Sequence, residues 1–252
     1  MVGSQFTPGE GGFHVIGGHT DSPNLKVKTR SKRSAKGSTS IQIGVECYGG
    51  GLWHTWLDRD LGISGRVFVR RRKKTHDGNM QPSKIQQILV KIDQAVLRIP
   101  NLAIHLQTAD ERKAFEINKE EHLSPILAMA AQRALSSDSE SKEEPSTSTS
   151  STISTDGWNE YQEPVLLELL ARELGIEVDE IVDFELNLFD IQKASLGGVH
   201  SEFIHSARLD NLASCFLAVQ ALIEVSQENE AEDNDISMIV LYDHEEVGSS
   251  SA

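Results

Sequence analysis

Ser237-Met238-Ile239-Val240-Leu241-Tyr242-Asp243-His244-Glu245-Glu246-Val247-Gly248-Ser249 decides how the rest of the chain is read. Its apolar first half, with β-branched members, predicts a buried strand. The strand stops at an imidazole and two adjacent carboxylates, and a Gly-Ser turn follows. In an open α/β sheet, ligands bind at the carboxyl ends of strands, because loops and helix starts converge there. Two glutamates at such a point can divide the work, one holding a metal and the other moving a proton. A solvated acidic turn is the plainer alternative, and the remaining motifs weigh against it.

The 252 residues suffice for one large domain or two modest ones. A net charge of -14 argues against nucleic acid or an anionic membrane as the main partner. Cys47 and Cys215 stand far apart with no CxxC pair, which fits a reducing compartment and offers no zinc knuckle. No uninterrupted apolar run approaches about 18 residues, and no secretory signal opens the chain, so a cytoplasmic protein is expected.

Phe13 to Gly18 reads as a short strand, with His19-Thr20-Asp21-Ser22-Pro23 where it stops. In H-x-D, an aspartate can hold the ring N–H of a histidine whose other nitrogen binds a metal. A surface histidine in a loop is the alternative. Leu25–Arg33, Ile41–Cys47, Gly65–Arg70 and Val182–Phe189 alternate as strands. Ile88–Ile92 and Ala95–Ile99 read as two more, stopped by Pro100. Tyr48-Gly49-Gly50-Gly51 lacks the Gly-Lys-Ser/Thr of a phosphate loop, so its glycines permit a sharp turn or a close backbone approach. His54 and Asp58 could share a helical face as ligands, but aromatic packing by Trp53 and Trp56 is the preferred reading. His105, inside Leu102 to Leu106, reads as a packed core histidine.

Ser124 to Ala134, Glu163 to Leu174 and Asn211 to about Val225 predict helices. In the last, Leu212, Phe216, Val219, Leu222 and Ile223 recur at helical spacing. Asp77-Gly78-Asn79 predicts a hairpin tip, and Ser136 to Thr155, almost wholly polar, a disordered surface loop.

His19, Asp210 and Glu245-Glu246 thus fall at strand ends or a helix start, far apart in sequence. Asp210 has a plainer role available as a helix cap. Imidazole and carboxylates without thiolate suit zinc, cobalt or manganese. Two such ions sharing an aspartate polarise a carbonyl and acidify a water, and a neighbouring glutamate can carry that water's proton to a leaving amine. Metal-assisted amide hydrolysis is the chemistry these residues predict.

His19-Thr20-Asp21-Ser22-Pro23, Tyr48-Gly49-Gly50-Gly51, Asp58-Arg59-Asp60-Leu61, Arg98-Ile99-Pro100, Arg208-Leu209-Asp210-Asn211 and Leu241 to Ser249 occur in this order. In that order they resemble the aspartyl aminopeptidases, over nearly the whole chain. The resemblance implies a cytosolic metallo-exopeptidase that removes N-terminal Asp or Glu. It implies two Zn2+ ions, with Co2+ or Mn2+ as second choices, and a homo-oligomer, a dodecamer built from dimers. The implied fold is α/β: a catalytic domain with a central mixed sheet flanked by helices, and an inserted β-rich dimerisation domain. Residues 1–34 and 200–252 would be catalytic and 35–199 the insertion. By motif, His19 binds one zinc, Asp210 bridges both, Glu246 binds the other, Glu245 is the general base and Asp21 orients His19. His105 would reach a neighbouring subunit's active site and bind substrate, which replaces its core reading.

Members of that family begin earlier and continue beyond the glutamate pair, into a segment that supplies one more Asp and one more His ligand. The chain is therefore expected to be a partial sequence, and inactive or nearly so as 252 residues. Two rivals stand beside this reading. One is an inactive interaction subunit pairing through the insertion; the other is a related two-metal acyl-amino-acid deacylase.

Overall fold

The computed structural model describes residues 1–33, 38–74, 80–82, 84–131, 157–227 and 234–248. The predicted Ser/Thr loop and the hairpin tip at 77–79 lie outside these residues. The chain forms two compact units. Met1–Pro23, Tyr48–Gly51 and Lys193–Ala252 make one, and Asn24–Cys47 with Leu52–Gln192 make the other. The sequence expectation draws these boundaries after residues 34 and 199, whereas Asn24–Arg33 pairs with the barrel strands.

The second unit is a closed barrel. In chain order its strands are β2 (Asn24–Arg33), β3 (Ser40–Tyr48), β4 (Asp60–Val69), β7 (Gln86–Arg98), β8 (Ile126–Met129) and β9 (Ile181–Asp190). Around the barrel they run β2-β3-β8-β7-β4-β9. A small hairpin, β5 (Arg72–Lys74) with β6 (Met80–Pro82), hangs between β4 and β7. Period-2 alternation sends Leu61, Ile63, Val67 and Val69 of β4 inward, to meet Ile92 of β7 and Leu186 and Leu188 of β9. Closure leaves no open sheet edge within the ring.

Two sequence expectations fail here. Within the expected helix at 124–134, Ile126–Met129 is instead strand β8, which pairs Ile126 with Arg98 and Met129 with Ser40. Helical backbone begins only at Ala130, and residues 132–134 lie outside the described residues. Leu, Ala and Met are good helix formers, but tertiary pairing overrides their propensity. The two short strands at 88–99 are one long strand, whose register against β4 jumps between Leu61 and Ile63. Asp93 to Ala95 bulge outward there and only imitate a break.

Helix α2 (Pro164–Leu174) follows the short helix α1 (Ala109–Lys113) in the chain. Pro164 starts α2 without wasting an amide, the Glu163 carboxylate accepts from the Val165 N–H, and Gly175 ends it in the left-handed conformation. Its buried face, Leu166, Leu167, Leu170 and Ala171, joins the barrel core. Just before it, Gln162 is fully buried. Its Oε1 accepts from the Ser31 hydroxyl at 2.7 Å and its Nε2 donates to the Thr29 carbonyl at 2.8 Å. Gln162→Ala should destabilise this unit by about 2 kcal/mol, since it strands buried Ser31 donors. A urea midpoint equal to wild type would contradict that.

Glu185 on β9 accepts from Lys26 on β2 and, at 2.6 Å, from the Arg66 Nε on β4. The Lys26 hydrogen bond leads in holding the carboxyl below its ordinary value of 4.5; desolvation opposes it and Arg66 adds to it. The folded carboxyl is thus harder to protonate than the unfolded one. Its contribution is full above pH 4.5 and is lost as pH falls through the lower folded value. Urea midpoints measured downward from pH 4.5 should fall less steeply for Glu185→Gln than for wild type. Identical slopes would refute the link.

The first unit is thinner. β1 (Phe13–His19) and β12 (Ile236–Tyr242) pair in parallel, in register from Phe13↔Ile236 to His19↔Tyr242. The hairpin β10 (Ser195–Gly197) and β11 (Phe203–His205) precedes helix α3 (Leu209–Gln227), which packs on β1 and β12. The face of α3 that is buried carries Cys215 and Ala218, while Phe216 and Val219 stay exposed, so the apolar stripe predicted from spacing is not the one used. By length and composition α3 is apolar enough to cross a membrane, which a search for an uninterrupted apolar run misses. A helix packed on a sheet meets the same test. Parallel strands are ordinarily covered on both faces, yet Phe13, Val15, Ile16 and Leu241 are exposed here.

Candidate metal centre

Parallel pairing of β1 and β12 sets their carboxyl ends side by side. His19, the last residue of β1, therefore lies opposite Tyr242, and the turn Asp243–Gly248 begins where β12 stops. Thr20 seals this end by donating its backbone N–H and its hydroxyl to the Tyr242 carbonyl. The third contributor is the start of α3. Asp210 and Asn211 depart from helical geometry there, and the peptide between them is cis. Asn211 Oδ1 accepts from the His19 N–H at 3.3 Å, and the Cys215 thiol donates to the His19 carbonyl at 3.1 Å. Gly18 makes this approach feasible, since a Cβ there would sit 2.9 Å from Asn211 Oδ1 and 3.0 Å from the Cys215 sulfur.

The side chains converge on the imidazole. His19 Nε2 lies 3.4 Å from Asp210 Oδ1 and 3.9 Å from Glu245 Oε2. One donor atom each from His19, Glu245 and Glu246 falls within 4.8 Å of the others. The His19 side chain is 12% exposed, whereas Asp210 at 87% and Glu245 at 58% face solvent. Desolvation pulls the His19 pKa down, but the Asp21 carbonyl and the carboxylates of Glu245, Asp21 and Glu246 outweigh it and raise the pKa above 6.5. Glu246 is pushed above its ordinary value first by burial and then by Glu245, Asp21 and Asp210, with His19 opposing. Carboxylates crowded around one imidazole, with oxygen and nitrogen donors aimed at a common point, are a donor set that fits a divalent cation.

Asp21 does something other than expected. The His19 Nδ1 sits 3.1 Å from the Asp21 backbone carbonyl, closer than the 3.5 Å to its Oδ1. The carboxylate mainly serves the glutamate turn: Oδ1 accepts from the Glu245 N–H at 3.3 Å and Oδ2 from the Glu246 N–H at 3.0 Å. Its Oδ2 also accepts the Tyr48 hydroxyl at 2.8 Å. Burial opposes ionisation, but the Tyr48 hydroxyl and these amides together hold the Asp21 carboxyl below its ordinary range. Next to Tyr48, Gly49 has φ +76°, and a Cβ there would lie 3.0 Å from the Glu246 Cβ. This is the close approach that the glycine run predicts.

The structure thus gathers His19, Asp21, Asp210, Glu245 and Glu246 in one place. It corrects the residue-based reading of His105. That histidine lies in the barrel unit, on a one-turn helix (Ile104–Leu106) where Leu102, Ile104 and Leu106 are all exposed, so it is no core residue. His54 and Asp58 do not share a helical face either. Trp53 is buried as expected, and Asp58 sits past the turn in a left-handed conformation, its Oδ1 accepting the Asn101 N–H. Tyr48, Asn211 and Cys215 carry support roles beyond the expected site residues; Tyr48 adjoins a glycine run, Asn211 adjoins Asp210, and Cys215 follows Asn211 by four residues on the same helix.

The family profile described as Aminopeptidase I zinc metalloprotease (M18) matches residues 1–252. The aspartyl aminopeptidase of Aspergillus oryzae is 44% identical over 259 residues, covering 100% of this chain and 49% of that protein. A cryo-EM structure of a complex of Ape4 and Nbr1 superposes with a TM-score of 0.74 at 41% identity, over 99% of this chain and 43% of that one. The structure of an S. cerevisiae mApe1 dodecamer gives a TM-score of 0.68 at 31% identity, over 100% and 48% of the two chains. The chain spans about half the length of the curated relatives it matches. With a match along its whole length and a histidine–carboxylate cluster at the paired strand ends, the chain belongs to the M18 family of zinc metallopeptidases.

Proposed function

We propose that this chain carries part of the active site of an aminopeptidase that releases N-terminal aspartate or glutamate from peptides. The observation that carries the reading is the convergence of Asp210, Glu245 and Glu246 on the His19 imidazole. His19, Asp210 and Glu246 would hold the zinc. Bound there, zinc supplies Lewis acidity and lowers the pKa of water. Glu245, the more exposed of the pair, takes the proton of the attacking water. It passes that proton to the amine as the C–N bond breaks, so the products are a free amino acid and a shortened peptide. His19 is held for its task by its Nδ1 on the Asp21 carbonyl.

Preference for acidic N-termini is supported by the name and 44% identity of the Aspergillus oryzae relative. The neighbouring dodecamer and the exposed apolar residues around His105 support a homo-oligomer in which His105 serves the site of another copy. By themselves the 252 residues are expected to hydrolyse little, since the described donors leave each ion short of four ligands. A panel of Asp-, Glu-, Leu- and Lys-p-nitroanilides and N-acetyl amino acids, offered with zinc to a product that carries this chain, tests the reading. Turnover confined to the Asp and Glu anilides is expected. Turnover of the N-acetyl amino acids instead would make it a deacylase.

A further inference from the structure

We propose that Tyr48 and His244 are positioning residues for this centre, joined in a hydrogen-bonded chain that fixes Asp21 and, through it, the backbone of Glu245 and Glu246. The metal part of this inference rests on the proposed function; the geometric part does not. Tyr48 has one hydroxyl proton, and a carboxylate can only accept, so that proton goes to Asp21 Oδ2 at 2.8 Å. His244 Nδ1 lies 3.0 Å from the Tyr48 hydroxyl oxygen. With the hydroxyl proton already committed, the histidine must be the donor there, which assigns its proton to Nδ1. The chain then runs from His244 Nδ1–H to the Tyr48 oxygen, and from the Tyr48 O–H to Asp21.

Every link has a reason in the local backbone. His244 occupies the left-handed region at φ 61°, and its N–H is taken by its neighbour Asp243 Oδ1 at 2.9 Å. This turns its ring edge-on toward Tyr48, with centroids 6.0 Å apart. Asp21 then has its acceptors engaged on one side of the site. Two donors reach Oδ2, from Tyr48 and the Glu246 N–H, and the Glu245 N–H reaches Oδ1. The amides of the two working glutamates thus hang on one carboxylate, and the tyrosine hydroxyl sets where that carboxylate points. Hydrogen bonds in series strengthen one another, so removing the middle of the chain should loosen its far end.

The test uses a product that carries this chain, with two substitutions. Tyr48→Phe removes only the hydroxyl. His244→Asn keeps a residue that tolerates the left-handed region but withdraws the ring nitrogen. In the metal-free chain, residue-resolved hydrogen exchange should show the Glu245 and Glu246 amides exchanging about tenfold faster in Tyr48→Phe. His244→Asn should give a smaller change of the same sign. The double variant should lose no more than Tyr48→Phe alone, because the chain is already cut. In the metal arm, Co2+ affinity should fall about tenfold in Tyr48→Phe, with a changed visible spectrum. Unchanged amide exchange in a folded Tyr48→Phe chain, or losses that add in the double variant, overturns the inference. If Tyr48→Phe does not fold, His244→Asn, whose side chain faces solvent, carries the same readouts: faster amide exchange supports the chain and unchanged exchange overturns it. A wild-type product carrying this chain that binds no Co2+ while Tyr48→Phe still frees the amides removes the metal reading and leaves the positioning role standing.

Discussion

Glu245→Gln should lower kcat on an aspartyl anilide by about a thousandfold in an active protein carrying this chain, with KM and metal affinity nearly unchanged. Glutamine keeps the size and one acceptor oxygen of glutamate but cannot take up a proton. The Glu245 side chain is half exposed, and the hydrogen bond that anchors the residue, to Asp21, comes from its backbone N–H. The substitution therefore leaves the turn in place and removes only the basic function. Steady-state kinetics together with a Co2+ titration checks both halves. Loss of metal with the activity would make Glu245 a ligand and transfer the base's part to Glu246, since both carboxylates lie within reach of the same imidazole.

His19→Ala should weaken metal binding by about a hundredfold or more while the fold survives. Among the described residues of the cluster the imidazole is the one nitrogen donor, set at a strand end where its main chain is gripped from two sides. Those grips, from Asn211 to the N–H and from Cys215 to the carbonyl, use backbone atoms that alanine retains. A chelator-competition titration reads the affinity and a thermal melt reads the fold. An affinity equal to wild type would place the metal elsewhere.

The positions of these residues were legible because strand ends are visible in sequence. The run Ile239 to Leu241, and Phe13 to Gly18, announce strands, and chemistry-bearing residues follow each directly. The burial expected of Ile239 to Leu241 is not found, since no residue of β1 or β12 is buried. Asp210 was visible as the entrance to a helix. Their convergence was not visible from periodicity alone, because it depends on parallel pairing across more than two hundred residues of intervening chain. The six ordered motifs carried that step by resemblance.

What the sequence hid had local causes. Ile126 to Met129 has helical composition and becomes a strand because the barrel closes through it. Asp93 and Gln94 read as a gap between two strands and instead belong to a bulge inside one strand. His105 sits among apolar residues in sequence, but it lies on a one-turn helix whose Ile104 and Leu106 are exposed, as is Leu102 before it. Asp21 was expected to serve His19 through its carboxylate; a two-residue spacing does not reveal that the carbonyl does this instead, freeing the carboxylate for the amides of Glu245 and Glu246. Tyr48 stood out only as the first residue of a glycine motif, since a tyrosine at the end of an alternating strand is unremarkable until its hydroxyl partner is known.

X-ray diffraction at the zinc absorption edge, from crystals of a product carrying this chain grown with zinc, tests the central claim most directly. The account predicts anomalous peaks about 2.0–2.2 Å from His19 Nε2 and from oxygens of Asp210 and Glu246. Zinc bound only away from these three side chains would contradict it.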